Sequence, residues 1–531
     1  MEALAYRVML LSGAGRAAVA FLAGALAVGA LAPFDFFAVV FISFPVLVWL
    51  LDGANGDADA GFLRRLAPAF WTGWWFGFGY FLAGLWWIGG ALLVEADTFA
   101  WALPLAVVGL PMVLAIFYGL AAALARLLWS DGAGRIAALA FCFGLVEWLR
   151  IFVLTGFPWN EIAYTLMPVP MMMQSVHILG LAAMNALAVF IAAAPALIAT
   201  RRGALPGIAV AVVLLAAHLG YGAYVILHVE PVAREVAGRP VVRIVQPSVA
   251  QSDRMSDADS ERIFSEYVRL SSAPPKKGDA RPDLIVWPET AVPFILTENP
   301  GALRRIAGML KPGQVLAAGA VRVEEDGPGL RARYYNSIQV ISDKGEIVAS
   351  ADKVHLVPFG EYMPYEGFFE WLGIPPVAMP GGFSAATERS TLRLGRGMVA
   401  LPLVCYEVIF PGASDARGPK PNFILNVTND SWYGRTIGPY QHLRQAQIRA
   451  VETGLPMVRA GNNGISVVTD AYGRIIDGIR LDGIGTVDVS LSKPNPFEVH
   501  EQVKDTSFCL VMALLLTAAI ISRKSLRWKR N

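Results

Sequence analysis

The sequence contains little charge for its length. Only 16% of the 531 residues are Asp, Glu, Lys or Arg, whereas 55% are hydrophobic and the mean hydropathy is +0.50. A chain this apolar is neither a disordered protein nor an ordinary soluble globular protein. The formal net charge is only +2. The chain therefore lacks the positive excess that nucleic-acid-binding proteins use, and we expect no nucleic-acid partner.

Cysteines and metal-binding motifs are also scarce. The three cysteines, Cys142, Cys405 and Cys509, are too few for a disulfide framework. The six histidines form no HExxH motif and no Cys/His cluster. We therefore expect no bound metal and no other cofactor.

The charged residues are unevenly distributed along the chain. Residues 1–228 hold only 19 of the 86 Asp, Glu, Lys and Arg residues. An apolar run of about 20 residues is long enough to cross a bilayer as a helix. The sequence predicts a multi-pass α-helical membrane domain with eight such spans, of which Glu147 and Arg150 interrupt the fifth. The spans are 17–32, 36–51, 67–89, 99–125, 136–154, 177–200, 205–227 and Ser507–Ser522.

Basic residues predict the orientation of these spans. They follow the even-numbered runs, as Arg64 and Arg65, Arg126 and Arg135, Arg201 and Arg202, and Arg523, Lys524, Arg527, Lys529 and Arg530. By the positive-inside rule both termini are cytoplasmic and the long stretch between spans seven and eight lies outside the cytoplasm. A cleaved signal peptide is the alternative interpretation of the first run. The predicted domains are 1–229 (seven spans), 230–500 (soluble), and 501–531 (the eighth span and a basic tail).

The stretch from 239 to 500 alternates strands with helices, which is typical of a layered α/β domain. Helical spacing of apolar residues covers 257–272, and a second helix is predicted over 439–453. Short apolar or β-branched runs, and two hairpins with Gly-containing turns, predict the strands. The runs are "PVVRIVQPS", "DLIVWPE", "QVLAAGAVRV", "NSIQVISDKGEIVAS", "GMVALPLVCYE", "NFILNVTND" and "GISVVTDAYGRII".

Three segments place a reactive group at the end of such a strand. They contain Glu289, Lys353 and Cys405. A carboxylate can accept the proton of a thiol, and an ammonium can stabilise the thiolate or the oxyanion of a tetrahedral intermediate. This set suits acyl transfer through a thioester. Taken singly, each residue also has a structural interpretation. Cys405 is then a buried core thiol, Glu289 an acid at a helix N-terminus and Lys353 a solvated loop lysine.

Longer strings extend this pattern to a known family. The three segments resemble the Glu–Lys–Cys triad of the nitrilase superfamily. The strings "KVHLVPFGEYMP", "LVCYEVIFP", "NVTNDSWYG" and "GPYQHLRQAQIRAVETGLPMVRAGNNGIS" resemble its apolipoprotein N-acyltransferase branch, as do "LAPFDFF" and "GFPWNEIAYTL" in the apolar part. The resemblance covers nearly the whole chain.

The resemblance implies a nitrilase-like αββα sandwich joined to an eight-helix membrane base. It implies that Cys405 is the nucleophile, Glu289 the general base and Lys353 the group that stabilises the oxyanion. Glu361, Tyr406 and Glu407 match supporting residues of the family. One difference concerns residues 251–255, where the family often has a tryptophan and this sequence has no aromatic residue.

The resemblance also implies the substrates. The acyl donor is a phospholipid, with phosphatidylethanolamine expected, and the acceptor is the N-terminal amine of a diacylglyceryl-cysteine on an apolipoprotein. The enzyme is expected in the bacterial inner membrane, with its catalytic domain on the periplasmic side. Trp159 and Met172 lie in an apolar loop and are candidate contacts for the entering lipid, or else an interfacial aromatic residue and an apolar filler. The segment Pro358–Pro376 is a candidate lid over the thioester, or else a packed surface loop.

Two other functions compete with this interpretation. A membrane-tethered amidohydrolase of the nitrilase class would use the same triad and release the acyl group to water. A transporter or channel with an external binding domain would need buried charges along a pathway, for which Glu147, Arg150 and Glu161 are the candidates. The triad by itself does not distinguish acyl transfer from hydrolysis.

Overall fold

A computed structural model gives the structure of the protein. It describes residues 2–57, 59–94, 96–199, 203–250, 259–275, 280–325, 332–365, 367, 371, 382–412 and 415–528. The chain forms two compact units. The helical unit comprises Met1–Gly89, Glu95–Val229 and Val499–Asn531, and the sheet unit comprises Gly90–Val94 and Glu230–Glu498.

The described residues contain fourteen α-helices. The first ten and the last belong to the helical unit. They are α1 (Glu2–Met9), α2 (Gly13–Ala27), α3 (Val40–Gly53), α4 (Phe62–Leu85), α5 (Ala96–Phe99), α6 (Leu110–Leu127), α7 (Gly134–Arg150), α8 (Pro170–Met173), α9 (Ser175–Ala193), α10 (Ala204–His228), α11 (Ser260–Ser271), α12 (Pro300–Met309), α13 (Gly438–Thr453) and α14 (Glu501–Trp528).

Small residues let the helices of the helical unit pack closely. A Cβ atom at Gly24 of α2 would collide with the backbone carbonyl of Phe76 in α4. A Cβ atom at Gly73 of α4 would likewise collide with Tyr118 and Ala122 of α6. Such backbone proximity through glycine is typical of helices that associate in a bilayer, where van der Waals packing replaces the hydrophobic effect.

The structure supports six of the eight predicted spans by length and composition. Among the described residues, six helical segments are long and apolar enough to cross a membrane: Gly13–Ala30, Phe62–Leu93, Ala100–Leu127, Ser175–Ala199, Ala204–His228 and Glu501–Arg523. The second predicted span forms only the shorter apolar helix Phe37–Gly53. The fifth forms α7, which has 17 residues and contains Arg135, Glu147 and Arg150. At 1.5 Å per residue a 17-residue helix is about 25 Å long, less than the roughly 30 Å of a hydrocarbon core.

The charges that interrupt the fifth run bond to each other and to the backbone. Arg150 forms a buried ion pair with Glu147 and donates a hydrogen bond of 2.8 Å to the carbonyl oxygen of Trp159. The Tyr118 hydroxyl donates to Glu147 at 2.6 Å, and the Asn185 amide donates to Glu161. These groups hold the segment after α7 against its neighbours, which is a structural use of buried charge.

The described residues of the sheet unit form two six-stranded sheets. Their orders are β12-β1-β2-β3-β4-β5 and β11-β10-β9-β8-β7-β6. The strands are β1 (Val241–Gln246), β2 (Leu284–Trp287), β3 (Val315–Glu324), β4 (Arg333–Ser342), β5 (Ile347–Asp352), β6 (Leu392–Arg393), β7 (Val399–Val404), β8 (Phe423–Thr428), β9 (Met457–Gly461), β10 (Ser466–Thr469), β11 (Ile475–Ile479) and β12 (Gly485–Ser490).

One apolar core joins the facing sides of the two sheets. It includes Ile244 and Val286 of the first sheet and Phe423 and Leu425 of the second. A second core lies between the outer side of the first sheet and helices α11 and α12, with Trp287 at its centre. The predicted layered α/β domain is therefore confirmed. Strands buried on both sides read as continuous apolar runs, which is why they were visible in the sequence.

Parallel pairing brings the ends of the central strands together. Strands β1, β2 and β3 are parallel in the first sheet, and β7, β8 and β9 are parallel in the second. Glu289 follows β2, Cys405 follows β7, and Thr428 ends β8. The carboxyl ends of parallel strands are where α/β sheets place their reactive groups.

Candidate active site

Cys405 occupies a strained position between a strand and a turn of helix. It directly follows β7 and begins the short 3₁₀ helix Cys405–Ile409, with φ at +52°. A residue with a Cβ atom adopts this left-handed conformation at an energetic cost, so the surrounding structure must hold it there. His442 helps to hold Cys405 in this conformation, because its Nε2 lies 3.3 Å from the Cys405 carbonyl oxygen. Because a carbonyl oxygen only accepts, Nε2 carries the hydrogen of this bond.

The side chains of Glu289 and Lys353 meet near this thiol. Lys353 follows β5 and is 1% exposed. Its Nζ lies 3.4 Å from Oε1 of Glu289 and 2.9 Å from the carboxylate of Glu361. Asn336 of β4 donates from Nδ2 to both carboxylates, at 2.8 Å to Glu289 and 2.7 Å to Glu361. The structure thus places one ammonium and two carboxylates in a single buried, hydrogen-bonded cluster.

The charges of this cluster keep the lysine protonated and the thiol neutral. Burial by itself lowers the pKa of Lys353, but the Glu361 and Glu289 carboxylates outweigh burial and hold it above its ordinary value. Burial, with the Glu289 charge, raises the pKa of Cys405 to about 12, against the opposing effects of Lys353 and Thr428. At pH 7 about one such thiol in 10⁵ is ionised. Two carboxylates raise the pKa of this thiol, and Glu289 has a larger effect than Asp430.

Both parts of the chain match known protein families. Residues 23–194 match the family model described as the apolipoprotein N-acyltransferase N-terminal domain, and residues 242–494 match the carbon-nitrogen hydrolase model. An apolipoprotein N-acyltransferase from Rhizobium rhizogenes is 56% identical over 527 residues, which cover 98% of each chain. Those from Agrobacterium fabrum and Brucella suis are 54% and 57% identical and cover 100% and 93% of both chains.

The chain belongs to the apolipoprotein N-acyltransferase family. The identity extends over the full length of these relatives, so it includes both the apolar part and the α/β part. The family resemblance inferred from the sequence strings is confirmed. The protein is accordingly an acyltransferase of lipoprotein biosynthesis, and its apolar helices fit a membrane protein.

Two solved structures resemble about half of this chain. An amidase from Nesterenkonia sp. is 19% identical and covers 50% of this chain and 94% of its own, with a TM-score of 0.35. A carbon-nitrogen hydrolase from Helicobacter pylori is 12% identical and covers 51% of this chain and 92% of its own, with a TM-score of 0.36.

Glu361 and Glu407, the two further acids that the family resemblance singled out, have different surroundings. Glu361 bonds to the Lys353 ammonium and accepts a hydrogen bond of 2.8 Å from the Val357 amide. Glu407 accepts from the backbone amides of 354 and 355 at 2.9 and 3.1 Å, and from that of 404 at 2.8 Å. Arg389 donates to it at 2.7 Å. Glu407 therefore joins the loop after Lys353 to the strand before Cys405.

Replacing Glu407 by glutamine is expected to destabilise this acyltransferase. An amide offers one acceptor oxygen where the carboxylate offers two, so at least one backbone N–H loses its partner in a buried place. That loss costs about 1–3 kcal/mol. Thermal unfolding should show a lower midpoint for Glu407→Gln, and acylation should slow because the Lys353 loop loosens. Glu346→Gln, at an exposed glutamate of the β4–β5 turn, should change neither. Equal stability of Glu407→Gln and the parent chain would contradict this assignment.

The structure places the remaining predicted residues as follows. Tyr406 is buried, with its ring 5.0 Å from that of Phe410. Trp159 and Met172 lie in the helical unit, where both are buried, at 1% and 4% exposure. The Trp159 ring packs on Phe157 at an interplanar angle of 15°.

Some predictions fall on residues that the structure does not describe. Residues 251–255, where the sequence lacks the aromatic residue, lie outside the described ranges, as do Arg201 and Arg202. The candidate lid Pro358–Pro376 is described only in part, through 365 and at 367 and 371. In the part that is described, Phe359, Tyr365 and Trp371 are at least half exposed. Within the described ranges, no group of three or more His, Cys, Asp or Glu side chains could hold a metal ion.

Several residues of the site were missed in the sequence. Asn336 joins Glu289 to Glu361, while Asp430, His442 and Arg459 form a buried cluster behind Cys405. The signal available was weak: "YYNSIQV" and "FILNVTND" are buried strands that nonetheless carry polar residues. A polar residue in such a strand needs a partner, but the sequence does not show which one.

Proposed function

We propose that this protein moves a fatty acyl chain from a phospholipid to the α-amine of a diacylglyceryl-cysteine at the N-terminus of an apolipoprotein. Cys405 holds the chain as a thioester between the two reactions. The observation that carries this proposal is the buried cluster of Glu289, Lys353 and Glu361 beside Cys405, in a chain that belongs to the apolipoprotein N-acyltransferase family.

In the first half-reaction the Cys405 sulfur attacks the carbonyl carbon of a phospholipid ester. Glu289 accepts the thiol proton as the carbon–sulfur bond forms. Lys353 stabilises the oxyanion of the tetrahedral intermediate, because its ammonium is buried and fixed by two carboxylates. The carbon–oxygen bond of the ester then breaks. The leaving alkoxide takes the proton from Glu289, which yields a lysophospholipid and the thioester.

In the second half-reaction the acceptor amine attacks the thioester carbonyl. Glu289 accepts a proton from the amine, and Lys353 again faces the oxyanion. The carbon–sulfur bond breaks, the Cys405 thiolate leaves, and Glu289 returns the proton to it. The products are a triacylated lipoprotein and the free thiol, so the enzyme alternates between two forms.

The apolar helices keep the enzyme at the membrane, where its phospholipid substrate lies. An acyl chain has roughly fifteen methylenes, and exposing them to water costs about 0.8 kcal/mol each, on the order of 12 kcal/mol in all. An enzyme anchored in the bilayer avoids that cost. We place it in the bacterial inner membrane with both termini cytoplasmic and residues 230–500 on the periplasmic side. Phosphatidylethanolamine is the proposed donor, and Trp159 and Met172 are proposed lipid contacts, although their burial means that neighbours must move to admit a chain.

The proposal is tested by the mass of the intact protein. Incubation of the purified chain with phosphatidylethanolamine of one acyl composition should add the mass of one acyl group. Hydroxylamine should remove this adduct because it cleaves thioesters. Cys405→Ala should acquire none, whereas Cys509→Ala, at an exposed cysteine of α14, should acquire it normally. An adduct that persists in a folded Cys405→Ala protein, or none in the parent chain, would refute the thioester.

A further inference from the structure

Thr428 is a buried threonine whose hydroxyl lies against the Cys405 sulfur. It ends β8, which runs parallel to β7 with Val427 opposite Val404, so Thr428 is beside Cys405. Its Oγ1 is 3.4 Å from the Cys405 Sγ and 3.1 Å from Oδ1 of Asp430. A hydroxyl has one hydrogen to donate and therefore bonds one of these two acceptors at a time.

Asp430 is fixed as an acceptor. Its carboxylate accepts a hydrogen bond of 2.9 Å from Nη2 of Arg459, and both side chains are fully buried. Burial alone would raise the pKa of Asp430, but the charges of Arg459 and His442 outweigh it and hold that pKa at about 2. An ionised carboxylate cannot donate. A neutral thiol is a weak acceptor. While Cys405 is neutral, the Thr428 hydroxyl therefore donates its hydrogen to Asp430, and the Thr428 oxygen faces the sulfur as an acceptor.

Ionisation of the thiol changes this competition. Ionisation turns the sulfur from a weak acceptor into an anionic one, and hydrogen bonds to an ionised acceptor are about twice as strong as neutral ones. Asp430 is also ionised, but both of its oxygens already accept from Nη2 of Arg459, whereas the new charge on the sulfur needs a donor. The Thr428 hydroxyl can then reach the sulfur by rotation about its C–O bond, with no movement of the backbone. Asp430 keeps its bond to Arg459 when the hydroxyl turns away.

We propose that Thr428 is a further catalytic residue, whose hydroxyl turns from Asp430 to the Cys405 sulfur when that sulfur carries negative charge. This rests on the proposed function, in which Cys405 is the nucleophile. No covalent bond of Thr428 changes: the thiol proton goes to Glu289, and Thr428 only exchanges one hydrogen-bond acceptor for another. The same hydroxyl stabilises the departing thiolate when the acceptor amine displaces it, so it serves both half-reactions.

The inference is tested by the reaction of Cys405 with iodoacetamide as a function of pH. Iodoacetamide reacts with the thiolate and needs neither lipid nor acceptor, so its rate reports the ionisation of Cys405 directly. Alkylation is quantified at Cys405 itself by peptide mass in Thr428→Val, Thr428→Ser and the parent chain. Thr428→Val removes the hydroxyl and retains the volume, whereas Thr428→Ser keeps the hydroxyl.

We expect Thr428→Val to react roughly tenfold more slowly than the parent chain at each pH below the pKa of the thiol. The acyl adduct should form more slowly by a similar factor. Thr428→Ser should stay within about twofold of the parent chain. The matched control is Thr469→Val, at a buried threonine of β10 whose hydroxyl bonds no group in the described part of the chain. It should alter neither rate.

Two results would overturn the inference. One is a Thr428→Val protein with the parent chain's pH profile, and the other is a Thr428→Ser protein as slow as Thr428→Val. If Thr428→Val does not fold, Thr428→Ala removes the same hydroxyl and carries the same expectation. Failure of the proposed function gives a different result: the parent chain forms no acyl adduct, while the alkylation profiles still separate Thr428→Val from Thr428→Ser.

Discussion

Replacing Glu289 by glutamine is expected to slow acylation of Cys405 by roughly 10² to 10⁴-fold, the usual contribution of a general base. The thiol has a pKa of about 12 because it is buried beside a carboxylate, so it ionises rarely without a base. Glutamine keeps the size of the side chain and can still accept from Asn336, which limits structural damage. The measurement is the rate of acyl-adduct formation with phospholipid in excess.

The pH dependence of acylation tests whether Glu289 acts as the base. With Glu289 present, acylation near neutral pH does not require hydroxide to remove the thiol proton. In Glu289→Gln, hydroxide must remove the thiol proton. Below the pKa of the thiol, the thiolate fraction rises about tenfold per pH unit. The variant should therefore recover steeply with rising pH while the parent chain changes less. Glu346→Gln, at an exposed glutamate, should behave as the parent. Parallel pH profiles for Glu289→Gln and the parent chain would exclude Glu289 as the base.

Replacing Lys353 by methionine is expected to abolish measurable transfer and to destabilise the fold. The oxyanion loses its cation, and removal of one such donor typically costs 10² to 10³-fold in rate. Two buried carboxylates, Glu289 and Glu361, would then lie on either side of Asn336 without the Lys353 ammonium. Breaking a buried ion pair by removing one partner costs about 3–5 kcal/mol. Denaturant unfolding and single-turnover acylation measure the two effects separately.

A double variant separates the structural from the catalytic part of Lys353. Adding Glu361→Gln to Lys353→Met removes one of the two opposed carboxylates. The double variant should regain most of the lost stability because the repulsion disappears. It should remain inactive because no cation faces the oxyanion. A double variant that regains activity together with stability would show that Lys353 acts only by holding the fold.

The residues of the candidate site that the sequence singled out are those that depend on local pattern. Glu289 and Cys405 end short apolar strands, and Lys353 ends a hairpin strand, so all three stand out against their neighbours. Their partners depend on pairings between distant segments. Asn336 contacts Glu289 across 47 residues of sequence, and Arg459 contacts Asp430 across 29. Chain order gives no distance between such groups.

Glu407 shows a different limit of prediction from sequence. Its position directly after the nucleophile is visible in the sequence, but a carboxylate there could be an acid, a base or a structural acceptor. Only the geometry shows that backbone amides and Arg389 occupy it. In the same way β9 and β12 were not predicted, since Met457–Gly461 and Gly485–Ser490 carry glycine or polar residues and become strands through their neighbours.

Six of the predicted spans form helical segments of at least 18 residues, whereas the second and the fifth form helices of 17 residues. The apolar segment 36–51 lies almost entirely within the helix Phe37–Gly53. Segment 136–154 was known to contain Glu147 and Arg150. The structure shows that Arg135 also lies within α7 and that the helix ends at Arg150. Burial against neighbouring helices, rather than a lipid-facing surface, explains how α7 carries these charges.

The most direct test follows the acyl group after it has reached the sulfur. The acyl-enzyme is prepared with labelled phosphatidylethanolamine, separated from all lipid, and then mixed with a lipopeptide that has a free diacylglyceryl-cysteine amine. One equivalent of label should appear in an amide-linked lipopeptide, with the mass of the protein returning to that of the free thiol, while buffer alone leaves the adduct in place. Release of the label as free fatty acid at the same rate with and without lipopeptide would contradict acyl transfer and identify a hydrolase.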